Sequence, residues 1–234
     1  MLAIALSEAR MLVRNKLVAA CAIFFPLALG AFFIASGNEG TAISAAITVV
    51  LMILMGVYLT ATTTLAARRQ NLFLKRLRSG AVSDGAIVAG LVAPIVAVSL
   101  VQVAIILTVF AFTGDQSPQS VFIVVLGVII AQVMFAGLAL ATAGVTDSPE
   151  HAQVTTLPVF LVTMGAAFWV IFTGLEELAW VKRALPGGGI AELIVSGWSG
   201  AEIDNYLVLV LPSLAWAVAA VLFARAMFRW EPRR

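Results

Sequence analysis

The chain has 234 residues, of which 62% are hydrophobic and only 11% charged, with a formal net charge of +2. Soluble chains carry charge on about a quarter of their residues, so a water-soluble globular protein is excluded and lipid must be the second solvent. The single cysteine, Cys21, lies in an apolar run, which excludes an intrachain disulfide framework.

In chain order, residues 1–16 predict an amphipathic interface helix. Leu2, Leu6, Ala9 and Val13 recur at helical spacing, and Ser7, Arg10 and Arg14 lie on another side. A plain basic flank of the first span is the other reading. A span needs about 20 mostly apolar residues, and six stretches qualify: 17–35, 43–66, 86–112, 120–145, 154–175 and 206–227. The first is too long for the apolar region of a signal peptide and lacks a small-residue cleavage site, so it reads as an uncleaved span. Each should be helical, because unpaired backbone groups do not survive in hydrocarbon. Pro94, Pro158 and Pro212 fall inside spans and predict bends.

Arg10, Arg14 and Lys16, then Arg68, Arg69, Lys75, Arg76 and Arg78, then Arg225, Arg229, Arg233 and Arg234 share one side, which accounts for 12 of the 14 basic residues. That asymmetry predicts a multi-pass protein with both termini cytoplasmic, and the expected location is a bacterial-type plasma membrane. The connections 36–42, 113–119 and 146–153 are short, so residues 1–234 form a single transmembrane domain. No internal repeat supports an inverted-repeat carrier.

Residues 68–78 read Arg-Arg-Gln-Asn-Leu-Phe-Leu-Lys-Arg-Leu-Arg, and Ser79-Gly80 follow as a helix stop. Phe73, Leu74 and Leu77 share an apolar arc flanked by basic residues. This suits docking into a groove on a partner, or lying on anionic lipid. Residues 176–205 predict two short amphipathic helices broken at Pro186-Gly187-Gly188-Gly189. These should sit at, or dip into, the outer interface, with Trp180 and Trp198 as anchors.

No GxxxxGK[ST] phosphate loop is present, so ATP hydrolysis by that route is excluded. The lone His151 beside Glu150 does not make a metal site, and nothing in the sequence points to nucleic acid. No Asp, Glu, Lys or His falls inside a predicted span, which argues against a proton-coupled carrier and an intramembrane protease. The polar span residues are neutral. Interhelical hydrogen bonding is the default role for Thr60, Thr64, Gln102 and Gln132, and the competing reading makes them candidates for lining a translocation pathway. Gly137, Ala141 and Gly144 permit close helix approach in the fourth span.

An amphipathic N-terminal helix comes first, then six spans with a basic helix after the second and two short outer helices before the last. That order resembles the permease subunit of type-2 ABC exporters over essentially the whole chain. Residues 68–78 are similar to the Glu/Arg-rich segment of that family running into Leu-Leu-Lys-x-Leu-Arg. Leu185-Pro186 through Ala191-Glu192-Leu193-Ile194 is similar to its proline-led segment. Ala66-Ala67 stand where the family often has an acidic residue, and Ser79-Gly80-Ala81-Val82-Ser83 replace its Thr-Pro-Leu-Ser turn.

The resemblance implies an all-α integral membrane fold and a coupling helix that contacts a cytosolic ABC ATPase. Arg69, Leu72, Phe73, Leu74, Arg76 and Leu77 would make that contact. It also implies pairing as a homodimer or heterodimer with a related permease. This chain would bind no cofactor and be no enzyme by itself, with ATP and Mg on the ATPase. The expected activity is export of hydrophobic or amphipathic substrates such as a drug, peptide or lipid. A non-pumping membrane scaffold or immunity protein, and an ion-coupled carrier, are the alternatives.

Overall fold

A computed structural model describes residues 24–36, 41–78, 83–114, 116–174, 177–200, 205–228 and 230. The interface helix expected over 1–16, the first part of the span expected over 17–35 and the Ser79-Gly80 stop lie outside the described residues. Every regular element described is helical: α1 (Phe25–Ala35), α2 (Ala42–Gln70), α3 (Phe73–Arg78), α4 (Asp84–Thr113), α5 (Val121–Val145), α6 (Pro149–Thr173), α7 (Ala179–Ala184), α8 (Gly188–Ser199) and α9 (Tyr206–Met227). Among the described residues, five helices (α2, α4, α5, α6 and α9) are long and apolar enough to cross a membrane. Pro94, Pro158 and Pro212 sit inside continuous helices.

Two boundaries depart from expectation. α6 begins at Pro149 and not near 154, so the expected connection 146–153 shrinks to 146–148. The cause is local: Ser148 Oγ accepts the His151 N–H at 3.3 Å, Pro149 opens the helix and Glu150 occupies its first turn. α2 runs on to Gln70, carrying Arg68 and Arg69 on its last turn. It is also not uniform. Leu54–Leu59 adopts π-helical geometry, and the Thr60 hydroxyl donates to the Met55 carbonyl five residues back at 2.9 Å.

Lipid supplies no hydrophobic drive between helices, so close packing and small residues must hold the bundle. The most extensive helix pair described is α5 with α9. A Cβ placed on Gly137 would lie 2.8 Å from the carbonyl carbon of Ala220, and one on Gly144 would strike the Met227 carbonyl. Only glycine allows that approach. α2 and α5 form the centre: Tyr58 on α2 packs against Phe135 and its hydroxyl lies 3.0 Å from the Thr142 hydroxyl. α4, α6 and α9 are peripheral and turn Val101, Ile105, Leu161, Phe172, Leu211 and Val218 outward. In water such a surface would aggregate; in a bilayer it is the solvated face.

Replacing Gly137 by Val should lower thermal stability in detergent by about 1–3 kcal/mol, the usual cost of overpacking. Gly165→Ala, where an added Cβ meets nothing within 4 Å, should leave it unchanged or slightly raised. Equal losses from both, measured by thermal unfolding of the solubilised protein, would contradict this packing.

Candidate functional site

The two ends of the bundle carry the polar chemistry. At the basic end, α2 closes on Asn71, and Leu72 adopts the left-handed region with φ of 56° before α3 begins. Such a backbone is uncommon for a branched residue and needs support from its surroundings. Here support comes from both sides: the Leu72 N–H donates to the Arg69 carbonyl at 3.0 Å, and the Leu72 carbonyl accepts from Arg76 N–H at 3.1 Å.

The turn sets the apolar arc of α3 against this chain's own helices. Leu74 is fully buried, in a cluster with Leu65, Ile87, Leu91, Val92 and Ala143. Phe73 and Leu77 pack half-buried against the same cluster. The apolar arc expected to form a docking ridge therefore lies on this chain's own helices, because the turn at Leu72 folds α3 back over α4. Arg69 is likewise inside, at 2% exposure. Its Nη1 donates to the Gly144 carbonyl at 3.1 Å, and its Nη2 to the Thr146 carbonyl. Leu72 and Arg76 remain exposed, with Arg76 Nη2 donating to the Asn71 carbonyl at 2.9 Å. Arg78 pairs with Asp84 at 3.4 Å and lies over the Trp230 ring at 5.3 Å. Both partners of that ion pair are about half exposed, so it is worth at most about 1 kcal/mol.

At the opposite end, α7 and α8 follow the expected break, but α8 is not a surface helix. It is packed among α2, α5, α6 and α9. Ile190, Ala191, Leu193, Ile194 and Trp198 join the main apolar core. Trp198, expected as an interfacial anchor, is 1% exposed, because α8 packs against α2, α5, α6 and α9. Trp180 is 79% exposed. Pro186 and Gly188 are buried at the break, where a side chain on Gly188 would strike the Lys182 carbonyl.

Charged groups hold this insertion. Lys182 is buried, donates to the Gly174 carbonyl at 2.7 Å and sits over the Trp169 ring at 5.4 Å. Arg183 grips the Glu192 carboxylate through Nε at 3.1 and 2.8 Å and Nη2 at 2.6 Å. That bidentate geometry raises the Arg183 guanidinium above its ordinary value. Trp216 Nε1 on α9 donates to the Ala184 carbonyl at 2.8 Å, and the Gln119 and Ser120 N–H groups donate to the Trp198 and Gly197 carbonyls.

Of the pathway candidates, Thr60 is buried and bonded within its own helix, and Gln132 is buried and donates to the Ser99 hydroxyl at 3.0 Å. Gln102 is buried and Thr64 half-buried. Among the described residues, no group of three or more His, Cys, Asp or Glu is placed to hold a metal.

A family model for the ABC-2 type transporter matches residues 3–181, well over half of the chain. The chain belongs to the ABC-2 type transporter family. A search of curated proteins gives no match. As an ABC-2 type transporter domain with several spans, the chain is a multi-pass membrane permease, a transport component that is not itself catalytic. The family match ends inside α7, so the inserted α8 and the last span lie beyond it.

Counting charges by side hid the burial of Arg69, Lys182 and Glu192 and the half-burial of Arg183. Opposite charges flanking the Pro-Gly-Gly-Gly turn were the available signal for the Arg183–Glu192 pair. Removing one partner of a buried ion pair typically costs about 3–5 kcal/mol. Arg183→Ala, which strands the buried Glu192 carboxylate, should cost more in thermal unfolding than Glu192→Ala, which leaves a half-buried guanidinium. Both should fall below that range, and the double variant should lose clearly less than their sum. Additive losses would contradict a buried, mutually compensating pair.

Proposed function

We propose that this chain is the permease subunit of an ATP-driven exporter of hydrophobic or amphipathic compounds, driven by a separate cytosolic ATPase that docks on the basic end. The observation that carries this reading is the Leu72–Arg76 turn. It is tied to the ends of α2, α4 and α5 from within, yet presents Leu72 and Arg76 outward. A coupling element needs both properties, because it must be stiff towards its own spans and open towards its motor.

Family membership supports the division of labour, and the sequence holds no phosphate loop of its own. In this reading, Leu72, Arg76 and the flanking parts of Phe73 and Leu77 meet the ATPase. ATP and Mg stay on that subunit, and a second permease chain, identical or related, completes the pathway. α1, which packs on α2 and α4, is the second half of a sixth span, 17–35, so both basic termini face the cytoplasm. The layout then places α7 and α8 at the outer face. Neutral span interiors suit an apolar or amphipathic substrate, since no ionisable group there would hold a carried ion. With Thr60 and Gln132 engaged inside the chain, Thr64 and the exposed helix faces are the better lining for a path between two chains.

Leu72→Asp and Arg76→Glu change the exposed face without disturbing the core. Asp tolerates the left-handed backbone better than Leu does. Both variants should keep thermal stability within about 0.5 kcal/mol while losing co-purification with the ATPase and ATP-dependent uptake of a lipophilic dye into inside-out vesicles. Full ATPase binding by the combined variant would sink the docking assignment. Uptake that follows an ion gradient without ATP would replace the exporter with a carrier.

A further inference from the structure

Arg69 occupies a position that the docking function does not explain. It lies on the last turn of α2, only a few residues before α3, and its side chain is turned away from the surface. Its guanidinium donates to Gly144 and Thr146, at the C-terminal end of α5. The last carbonyls of a helix have no partner within the helix and carry the negative end of its dipole. A guanidinium there is held by charge and by direction, and its planar fork fixes two acceptors at once. At that same point, α5 meets the other peripheral partner: Gly144 is in contact with the Met227 carbonyl at the end of α9. The rest of the junction is apolar, with Leu74 of α3 clustered with Ile87, Leu91 and Ala143, and Phe228 and Trp230 packed against them. A two-point hydrogen-bonded fork fixes the α2 and α5 ends to one another by direction as well as by contact.

We propose that Arg69 is a positioning residue that passes movement of α3 to the α5–α9 pair through the Gly144 and Thr146 carbonyls, without itself contacting the ATPase. This rests on the permease reading above. Motion imposed on α3 shifts the last turn of α2; the guanidinium carries the end of α5 with it, and α9 follows because Gly137 and Gly144 leave no gap between the two helices.

The test uses the complete permease–ATPase complex in nanodiscs, with Cys21→Ala and spin labels at Phe112 and Leu207. Both positions are strongly exposed and lie at the far ends of α4 and α9. The nucleotide-driven change in the distance between them is read with and without Mg-ATPγS. Arg69→Met should keep ATPase binding and basal hydrolysis but lose the distance change. Arg69→Lys, which keeps the charge and reaches one carbonyl, should restore part of it. Ile87→Ala loosens the same apolar cluster without touching the fork, and it should lower thermal stability yet keep the change.

An unaltered distance change in Arg69→Met would overturn the inference, and so would its loss in Ile87→Ala, which would mark a merely structural effect. Loss of ATPase binding in Arg69→Met would also overturn it, by making the residue a contact. If the parent complex neither binds an ATPase nor responds to nucleotide, the permease reading itself fails and takes the inference with it.

Discussion

A helix that stops among apolar side chains leaves carbonyl oxygens that water cannot reach, and each costs about 1–3 kcal/mol if left unpaired. The fold turns on how those ends are closed. The buried ends are those of α5, closed by Arg69, and α8, closed by the Gln119 and Ser120 amides, while the exposed ends of α6 and α7 are tied by Lys182 and the Trp216 indole. In every case the donor belongs to a different element. Closing an end is therefore the same act as joining two helices, and the bundle is stapled at its two ends while its middle is held by small residues and a few neutral pairs. Polar pairs of the Gln132–Ser99 kind average only about 0.6 kcal/mol in membranes, so the ends dominate the specificity of the arrangement.

That distribution fits an ABC-2 type transporter. Asp, Glu, Lys and His are absent from the middle of the spans, and the charged groups are concentrated at the two ends of the bundle. At one end the charges fix an inserted helix, α8, against four others. At the other they surround α3, whose apolar side is sealed by Leu74 and its neighbours. Leu72 and Leu178 are the two non-glycine residues described with positive φ, and each immediately precedes one of the short helices, α3 and α7. Both short helices thus start from backbones held in place by their neighbours, as suits parts that must keep a set angle.

Spans were legible because their signal is simple: length and lack of charge located α4, α5 and α9 to within two residues. The short helices were legible as elements but not in how they pack. A helical wheel gave Phe73, Leu74 and Leu77 one face, and it could not say whether that face met a partner or the chain itself. The answer depends on the sign of φ at Leu72, which no periodicity encodes. α8 showed a similar gap. A 12-residue helix is too short to span, which suggested an interfacial position, yet packing against α2, α5, α6 and α9 buries most of it. Trp198 then moved from anchor to core. The start of α6 was readable from Ser148-Pro149-Glu150 and was missed because hydropathy alone set the boundary. Arg69, Lys182, Arg183 and Glu192 were counted as topological charges, since burial is a property of the fold and not of the count.

Accessibility at two neighbouring positions tests the central claim that the basic end is sealed from within and open on one side only. Single cysteines at Leu72 and Leu74, in a Cys21→Ala background, are probed with a charged maleimide in membranes lacking and then containing the partner ATPase. The account predicts rapid labelling at 72 that the ATPase blocks, and none at 74 in either membrane. Comparable labelling at both positions, or labelling at 72 that the ATPase leaves untouched, would contradict it.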